Sequence, residues 1–250
     1  ALVVVGLSVV AYIMFIRKTV TQPIGRLAEF AKNVTTAGRF NTRGIELKTG
    51  DEIEALGSSF NFMLLELDHY IHDLTAMTAE KERISAELDV ATHIQSSMLP
   101  CIFPAFPERG EFDIYATMNP AKEVGGDFYD FFMVDERHLA IVMADVSGKG
   151  VPAALFMVIG KTLIKDHTQS GTDLGSVFSE VNDLLCESNS EGLFITAFEG
   201  VLDLVTGEFT FVNAGHEIPF IAKSGEPFAP YKIQAGFVLA GMEEMNYRCG

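Results

Sequence analysis

Two aspartates in the second half of the chain could bind a divalent cation. Asp127 is the second residue of segment 126–134, and Asp145 directly follows segment 138–144; both segments are apolar and aromatic, as is typical of β-strands. A regular hairpin closed at residues 135–137 places the two aspartates directly opposite each other. Opposed residues have Cβ atoms roughly 5 Å apart, and like charges that close repel unless a proton or a cation intervenes. The spacing predicts a cation site, although an opposed acidic pair can also be a structural or edge-protecting feature.

The donors near this pair are hard oxygen atoms, which favour Mg²⁺ or Mn²⁺ over zinc. Val146 could add its backbone carbonyl, because the strand ends there. Asp130 lies an odd number of residues from Asp127, so strand alternation points it to the other face and it is not a first-choice ligand. We therefore expect Asp127, Asp145 and Val146 to provide metal ligands.

A glycine-rich turn, residues 147–150, comes after Asp145 and leads into a helix with Pro152 near its start. Lys149 of this turn could contact a phosphate, although a solvated loop lysine is an equally good interpretation. The turn lacks the spacing of a nucleotide-binding P-loop. Residues 125–127 share just three positions with the GGDEF motif of cyclases, too few to indicate that activity. His216 lies in a turn after a strand, where histidine is more often structural, so we assign it no catalytic role.

These residues need a scaffold of strands and helices after Pro100. The apolar patterns predict strands at 112–118, 126–134, 138–144, 194–204 and 208–212, and helices at 151–166 and 174–188. A Thr-Gly turn at 206–207 indicates that the last two strands form a hairpin. The pattern favours an α+β domain with mainly antiparallel sheets.

The chain begins with an uncharged apolar run, residues 1–16, that ends at Arg17 and Lys18. A membrane span needs about 20 apolar residues, so we interpret this run as the end of a transmembrane helix. The basic flank places the next segment of the chain on the cytoplasmic side. A buried core helix is the alternative, and a signal peptide fits less well because no small-residue cleavage site comes after the run.

Helical patterns continue beyond this run. Residues 21–38 predict a short amphipathic helix, and 38–49 an extended connector. From Asp51 onward, apolar residues alternate at spacings of three and four, and the same register continues to Leu99, before Pro100. This heptad pattern predicts a long helix that pairs in a coiled coil.

Helix, connector and helix directly after a membrane span resemble the HAMP domain of bacterial receptors. The resemblance rests on Pro23, Gly38, the segment Asp51-Glu52-Ile53 and the segment 60–63, Phe-Asn-Phe-Met. It implies a HAMP domain at 17–68, a signalling helix at 69–99 and a parallel homodimer that relays a membrane input. An ordinary helical hairpin is the alternative.

Several ordered motifs beyond residue 82 resemble the SpoIIE-like and RsbU-like branch of the metal-dependent protein phosphatases (PPM, type 2C). They are Glu123-Val-Gly-Gly-Asp-Phe-Tyr-Asp130, Ala144-Asp-Val-Ser-Gly-Lys-Gly150, Phe194-Ile-Thr-Ala-Phe198, Asn213-Ala-Gly-His216 and the helix from Glu87 to Pro100. The resemblance implies an α-β-β-α sandwich at 100–250 and hydrolysis of phosphoserine or phosphothreonine. It also implies a two-metal centre of Mg²⁺ or Mn²⁺, and substrates that are commonly STAS-type anti-sigma-factor antagonists.

Position by position, the resemblance assigns metal-binding roles to Asp127 and Asp145 and a carbonyl ligand to Val146. It implies attack by a metal-bound water, without a covalent protein nucleophile. The family's later metal-binding aspartates would lie beyond Gly250, so we expect this sequence to be an inactive fragment of a longer active enzyme. The alternative is a catalytically inactive module of the same fold that binds a signalling partner.

Composition limits the remaining possibilities. With 34 acidic and 18 basic side chains the net charge is −16, which repels nucleic acid backbones and argues against a nucleic-acid partner. The three cysteines are far apart in sequence, so neither a disulfide framework nor a zinc site is indicated. We expect a protein of the bacterial inner membrane whose HAMP and phosphatase domains are cytoplasmic.

Overall fold

The computed structural model describes residues 2–36, 44–119, 124–187 and 189–250. Its contacts divide the chain into an N-terminal unit, residues 1–84, and a C-terminal unit, residues 85–250. Each unit is described by itself.

Helices occupy much of the first hundred residues, and strands begin after Asp127. In chain order the elements are α1 (Leu2–Ile16), a π-helical turn (Arg17–Thr21), α2 (Gln22–Thr36), α3 (Glu52–Ser97), β1 (Phe128–Met133), β2 (His138–Val146), α4 (Val151–His167), α5 (Leu174–Glu187), β3 (Ile195–Asp203), β4 (Phe209–Ala214), β5 (Phe220–Ile221) and β6 (Ala229–Pro230).

Helix α1 is apolar, and none of its described side chains is buried. The helical stretch 2–34 is long and apolar enough to cross a membrane. Winding changes between α1 and α2, where the Gln22 N–H donates to the carbonyl of Arg17, five residues earlier. Pro23 comes next and has no N–H to donate, which is a common reason for a local change of helical winding.

The segment before α3 packs against that helix. The Ile45 N–H donates to Asn61 Oδ1 at 2.8 Å, and Asn61 Nδ2 donates to the Ile45 carbonyl at 2.9 Å. Asp51 caps α3, because its carboxylate accepts the N–H of Ile53 at 3.0 Å. The predicted extended connector is confirmed at 44–49, which contain neither helix nor strand; its first part, including Gly38, lies outside the described residues.

Helix α3 is continuous and ends three residues before Pro100, as its heptad pattern predicts. Much of its apolar seam is not covered by any other part of the chain that the structure describes. The exposed members of the predicted seam are Leu56, Met63, Leu67, Tyr70, Leu74 and Met77. Burying such a row requires another helix.

The C-terminal unit is built on a four-stranded antiparallel sheet in the order β1-β2-β3-β4, with β5 and β6 forming a separate pair. Alternate residues of β2, including Val142, Ala144 and Val146, belong to the main core together with residues of α4 and α5. Strand alternation places the intervening residues, Asp145 among them, on the opposite face. The expected mixture of helices and antiparallel sheet is confirmed, and the sheet separates the helical core from the face that carries Asp145.

The prediction of a strand at 112–118 is wrong. These residues alternate between half-buried and exposed, and Ile114, Ala116 and Met118 pack on the core. However, the segment belongs to no sheet. Its alternating pattern reflects burial of every second side chain, without a partner strand among the described residues.

Candidate metal centre

The hairpin of β1 and β2 brings Asp127 and Asp145 together. Phe128 pairs with Ala144 and Tyr129 with Met143, and one further step of this register sets Asp127 opposite Asp145. The two segments therefore pair as predicted, and their acidic residues lie at the open end of the hairpin.

The two carboxyl groups interact strongly. Partial burial, a hydrogen bond with Asp127 and repulsion from its charge raise the pKa of Asp145 to about 6. Two carboxylates that compete for one proton in this way can equally share a cation. Both side chains are accessible to solvent, so an ion can reach them.

The Val146 carbonyl lies on the same side of the strand as Gly126. The Ser147 N–H donates to the Phe194 carbonyl at 2.8 Å, so in antiparallel geometry the polar groups of Val146 point away from β3. A Cβ added to Gly126 would lie 2.8 Å from the Val146 oxygen. Glycine thus permits the segment that holds Asp127 to approach this carbonyl.

A cavity of about 280 Å³ opens over the acidic pair. Its lining includes Thr117, Asn119, Asp127, Tyr129, Asp145 and His216. A larger cavity of about 620 Å³ borders β4 and residues 231–236 and 246–250, but none of the described residues lining it is an Asp or a Glu. The smaller cavity is therefore the better candidate for metal chemistry.

Other residues named from the sequence lie elsewhere. Asp130 is buried on the helical side of the sheet, as predicted, where Lys161 Nζ is 2.6 Å and Lys165 Nζ 3.5 Å from its carboxylate. Lys149 is exposed in the loop before α4 and does not line the cavity. Gly148 and Gly150 of that loop have left-handed backbone angles, φ 89° and 79°, which favour glycine.

His216 lines the cavity, although its sequence context, a turn after a strand, favours a structural role. Its Nδ1 lies 2.9 Å from the Thr196 hydroxyl, and Thr196 is the β3 partner of Asp145. The proximity of His216 to Asp145 depends on the pairing of β2 with β3. The motif Asn213-Ala-Gly-His216 identifies the residue but does not indicate this neighbour.

The donor set fits a hard cation. Two carboxylates and a carbonyl are ligands that Mg²⁺ and Mn²⁺ accept, and the chemistry of the set does not favour zinc. Within the part of the chain that the structure describes, no group of three or more His, Cys, Asp or Glu side chains could hold a metal. Glu123, at the start of the first motif, lies outside that part.

Two known protein families match this chain, one in its N-terminal part and one in its C-terminal part. Residues 15–69 match the HAMP domain family, and residues 135–249 match the family described as Stage II sporulation protein E (SpoIIE). The chain contains a HAMP domain and a SpoIIE-type PP2C phosphatase domain. The HAMP match includes the π-helical turn, α2 and the first part of α3, and the SpoIIE match begins at the turn between β1 and β2.

Curated relatives of the SpoIIE-type chain include two bacterial proteins. Protein IcfG of Synechocystis is 32% identical over 201 residues, covering 70% of this chain and 31% of that protein. The phosphoserine phosphatase RsbU of Bacillus subtilis is 30% identical over 169 residues, covering 67% of this chain and 49% of RsbU. The chain thus spans about a third to a half of the length of these relatives.

A solved structure supports the fold of the SpoIIE-type domain. The SiaA-PP2C domain of Pseudomonas aeruginosa superposes with a TM-score of 0.53 at 24% identity, covering 68% of this chain and 67% of that domain. The likeness shows a PP2C fold.

Proposed function

We propose that this protein is a membrane-tethered signalling phosphatase that hydrolyses phosphoserine or phosphothreonine on a regulatory protein. The observation that carries the proposal is the opposed pair Asp127 and Asp145 at an open cavity of a PP2C fold. The relative RsbU, named a phosphoserine phosphatase, supports the reaction class. The substrate class that we propose is a STAS-type anti-sigma-factor antagonist, which the family resemblance implies.

Asp127, Asp145 and the Val146 carbonyl would hold Mg²⁺ or Mn²⁺ in a two-ion centre. At such a centre, divalent cations supply water activation and neutralise charge on the phosphoryl group. The protein's own residues hold the carboxylates face to face, keep their cavity open to solvent and present His216 at its wall.

The N-terminal unit would anchor and pair the protein. The helical stretch 2–34, with its apolar first part, supports a membrane anchor in the bacterial inner membrane, and Arg17 and Lys18 favour a cytoplasmic location for the later domains. The exposed seam of α3 supports a parallel homodimer, because pairing would remove its apolar side chains from water. We propose the layout 1–16 membrane helix, 17–68 HAMP domain, 69–99 signalling helix and 100–250 phosphatase domain.

The end of α3 is well placed to influence the metal site. Gln95 Nε2 donates to the Gly125 carbonyl at 2.7 Å, and the Gly125 N–H donates to Gln95 Oε1 at 3.1 Å. Gly125 is two residues before Asp127. We propose that movement of this helix shifts the Gly125–Asp127 backbone and so couples the HAMP state to metal binding.

The reaction can be tested with full-length protein and a phosphoserine peptide. We expect phosphate release with Mn²⁺, loss of release on chelation and loss in Asp145→Ala. Asp166→Asn, which neutralises an exposed acid of α4, is the matched control and should retain activity. Absence of release from wild type that binds Mn²⁺ would contradict the proposal.

The coupling has its own test. One residue inserted near Thr78 would rotate the rest of α3 by about 100° relative to its start. We expect the full-length protein to lose its response to the membrane signal while Mn²⁺-dependent activity persists. An unchanged signal response would eliminate helix coupling.

A second candidate is a catalytically inactive module of the same fold that captures a phosphorylated or STAS-like partner. It is favoured by the donor set of the described residues, which contains two carboxylates where a fully ligated pair of ions needs more. Wild type that binds the partner but releases no phosphate would establish this alternative.

A further inference from the structure

The loop after β4 holds His216 in a defined position. Asn213 brackets it, because its Oδ1 accepts the His216 N–H at 2.8 Å and its Nδ2 donates to the His216 carbonyl at 3.0 Å. Gly215, between them, has φ 71° and is bridged to Ala197 of β3. The backbone at His216 is therefore tied to the sheet that carries the acidic pair.

The ring of His216 is oriented by Thr196. The Thr196 hydroxyl has one proton and two acceptors nearby, His216 Nδ1 at 2.9 Å and the Asp145 carbonyl at 3.5 Å. The hydroxyl can donate to Nδ1, or it can accept from Nδ1–H and donate to the Asp145 carbonyl. The shorter contact is the stronger, which favours donation to Nδ1. A neutral imidazole that accepts at Nδ1 has its proton on Nε2.

Among the residues that the structure describes, no side-chain hydrogen bond or ion pair to His216 Nε2 is present. Burial lowers the pKa of His216 below its ordinary value, and the charges of Glu217 and Asp127 and a hydrogen bond with the Thr196 backbone act in the opposite direction.

A phosphoryl group over the acidic pair would need donors of this kind. Ionised Asp127 and Asp145 can accept hydrogen bonds but cannot donate them. The hydroxyl of Tyr129, also in the cavity wall, already donates to the Pro100 carbonyl at 2.7 Å. Thr117, Asn119 and His216 are the other polar residues of that wall that carry donor groups. Of these, His216 is the one whose ring is hydrogen-bonded to Thr196, the β3 partner of Asp145.

We propose that His216 donates its Nε2–H to a phosphoryl oxygen of the substrate, and that Thr196 is a positioning residue that selects the required tautomer. The inference rests on the proposed function for the identity of the ligand. It involves a hydrogen bond and no proton transfer, so it does not require His216 to be charged.

The tautomer can be measured without any enzymatic activity. Full-length protein labelled with ¹⁵N-histidine, compared with His216→Gln to assign the signal, should show a protonated Nε2 and an unprotonated Nδ1 at neutral pH. Thr196→Ser should preserve this state, and Thr196→Val should give a mixture of tautomers. A protonated Nδ1 in the wild type would overturn the inference.

Binding of inorganic phosphate tests whether His216 donates a hydrogen bond to a phosphoryl oxygen. In Mn²⁺-loaded full-length protein, His216→Met removes the N–H, whereas His216→Gln retains an amide donor. We expect the phosphate inhibition constant to rise, and kcat/KM for a phosphoserine peptide to fall, by about 10- to 100-fold in the Met variant. The Gln variant should recover most of the loss, and Thr196→Val should lose about 2- to 10-fold.

The outcomes separate this inference from the proposed function. Unchanged phosphate inhibition and kcat/KM in His216→Met would overturn it, and so would a parallel loss of Mn²⁺ affinity, which would make the role of His216 structural. If wild type releases no phosphate from the peptide, the proposed function fails. The ¹⁵N signals and direct phosphate binding would still decide the inference.

Discussion

Gly126 lies directly against Val146, so that a Cβ at Gly126 would be 2.8 Å from the Val146 oxygen and 2.9 Å from its Cβ. Val146 cannot move away to make room, because it is 1% exposed and belongs to β2. The contact links the segment that holds Asp127 to the strand that holds Asp145.

We expect Gly126→Ala to destabilise the C-terminal unit by about 1–3 kcal/mol, the usual effect of overpacking, and to weaken Mn²⁺ binding. The added methyl group must separate Asp127 from the Val146 carbonyl. Calorimetric titration and thermal unfolding measure the two effects. Gly110→Ala is the control, because an added Cβ there meets nothing within 4 Å; equal Mn²⁺ affinity in both variants would exclude this role for the contact.

Asp130 should matter for stability and not for metal binding. Its carboxylate is buried with Lys161 on the helical face, and removing one charge of a buried pair costs about 3–5 kcal/mol. We expect Asp130→Asn to lower the apparent Tm while leaving the Mn²⁺ dissociation constant within about twofold, and Lys161→Met in the same chain to restore part of the Tm. Folded Asp130→Asn that has lost Mn²⁺ would identify Asp130 as a ligand.

The buried carboxyl group of Glu199 should make the stability of the folded protein depend on pH in an unusual way. It is fully buried on β3, Thr168 donates to its Oε1 at 2.8 Å, and its Oε2 has no partner among the described residues. Burial raises its pKa from 4.5 to about 8. Between these values the folded protein retains a proton that the unfolded chain has lost, so its stabilising contribution falls as pH rises through about 8.

We therefore expect Glu199→Gln, which cannot ionise, to lose less stability between pH 6.5 and pH 9 than wild type. The difference in apparent Tm should be about 5 °C or more. Glu226→Gln, at an exposed loop position, should behave as wild type. Parallel pH profiles for wild type and Glu199→Gln would show that Glu199 is already ionised when buried.

Gln95 should influence the acidic pair through Gly125. Gln95→Ala removes both hydrogen bonds to the Gly125 backbone, at a cost of about 1–3 kcal/mol for groups left unpaired. We expect weaker Mn²⁺ binding and a smaller response to the membrane signal. Ser96→Ala, which changes an exposed hydroxyl bonded within α3, should change neither; identical titrations for Gln95→Ala and Ser96→Ala would argue against the link.

The sequence predicts the local parts of this structure well. The short connection at 135–137 determines the register of β1 and β2, and therefore the opposition of Asp127 and Asp145. Strand alternation correctly separates Asp130 from that pair. These predictions succeed because each depends on residues close together in the chain.

Contacts between segments that are distant in the chain do not follow from local sequence patterns. Residues 112–118 have the alternation of a strand, but their burial is satisfied by packing on the core, which no local pattern distinguishes from strand pairing. His216 is 71 positions after Asp145, and the pairing of β2 with β3 sets Thr196 between them. The raised pKa of Glu199 likewise depends on its burial and on Thr168, 31 positions away, directly after the end of α4.

The π-helical turn at Arg17–Thr21 has a consequence for insertions and deletions. A π-turn accommodates one residue more than the α-helix around it, so this segment has a residue to spare. Deleting one residue there would restore α-helical winding and keep the faces of α1 and α2 in the same angular relation. A deletion within α3 would rotate the rest of that helix by about 100°. Evolution should therefore tolerate a one-residue deletion in the π-helical turn between α1 and α2 much better than one within α3.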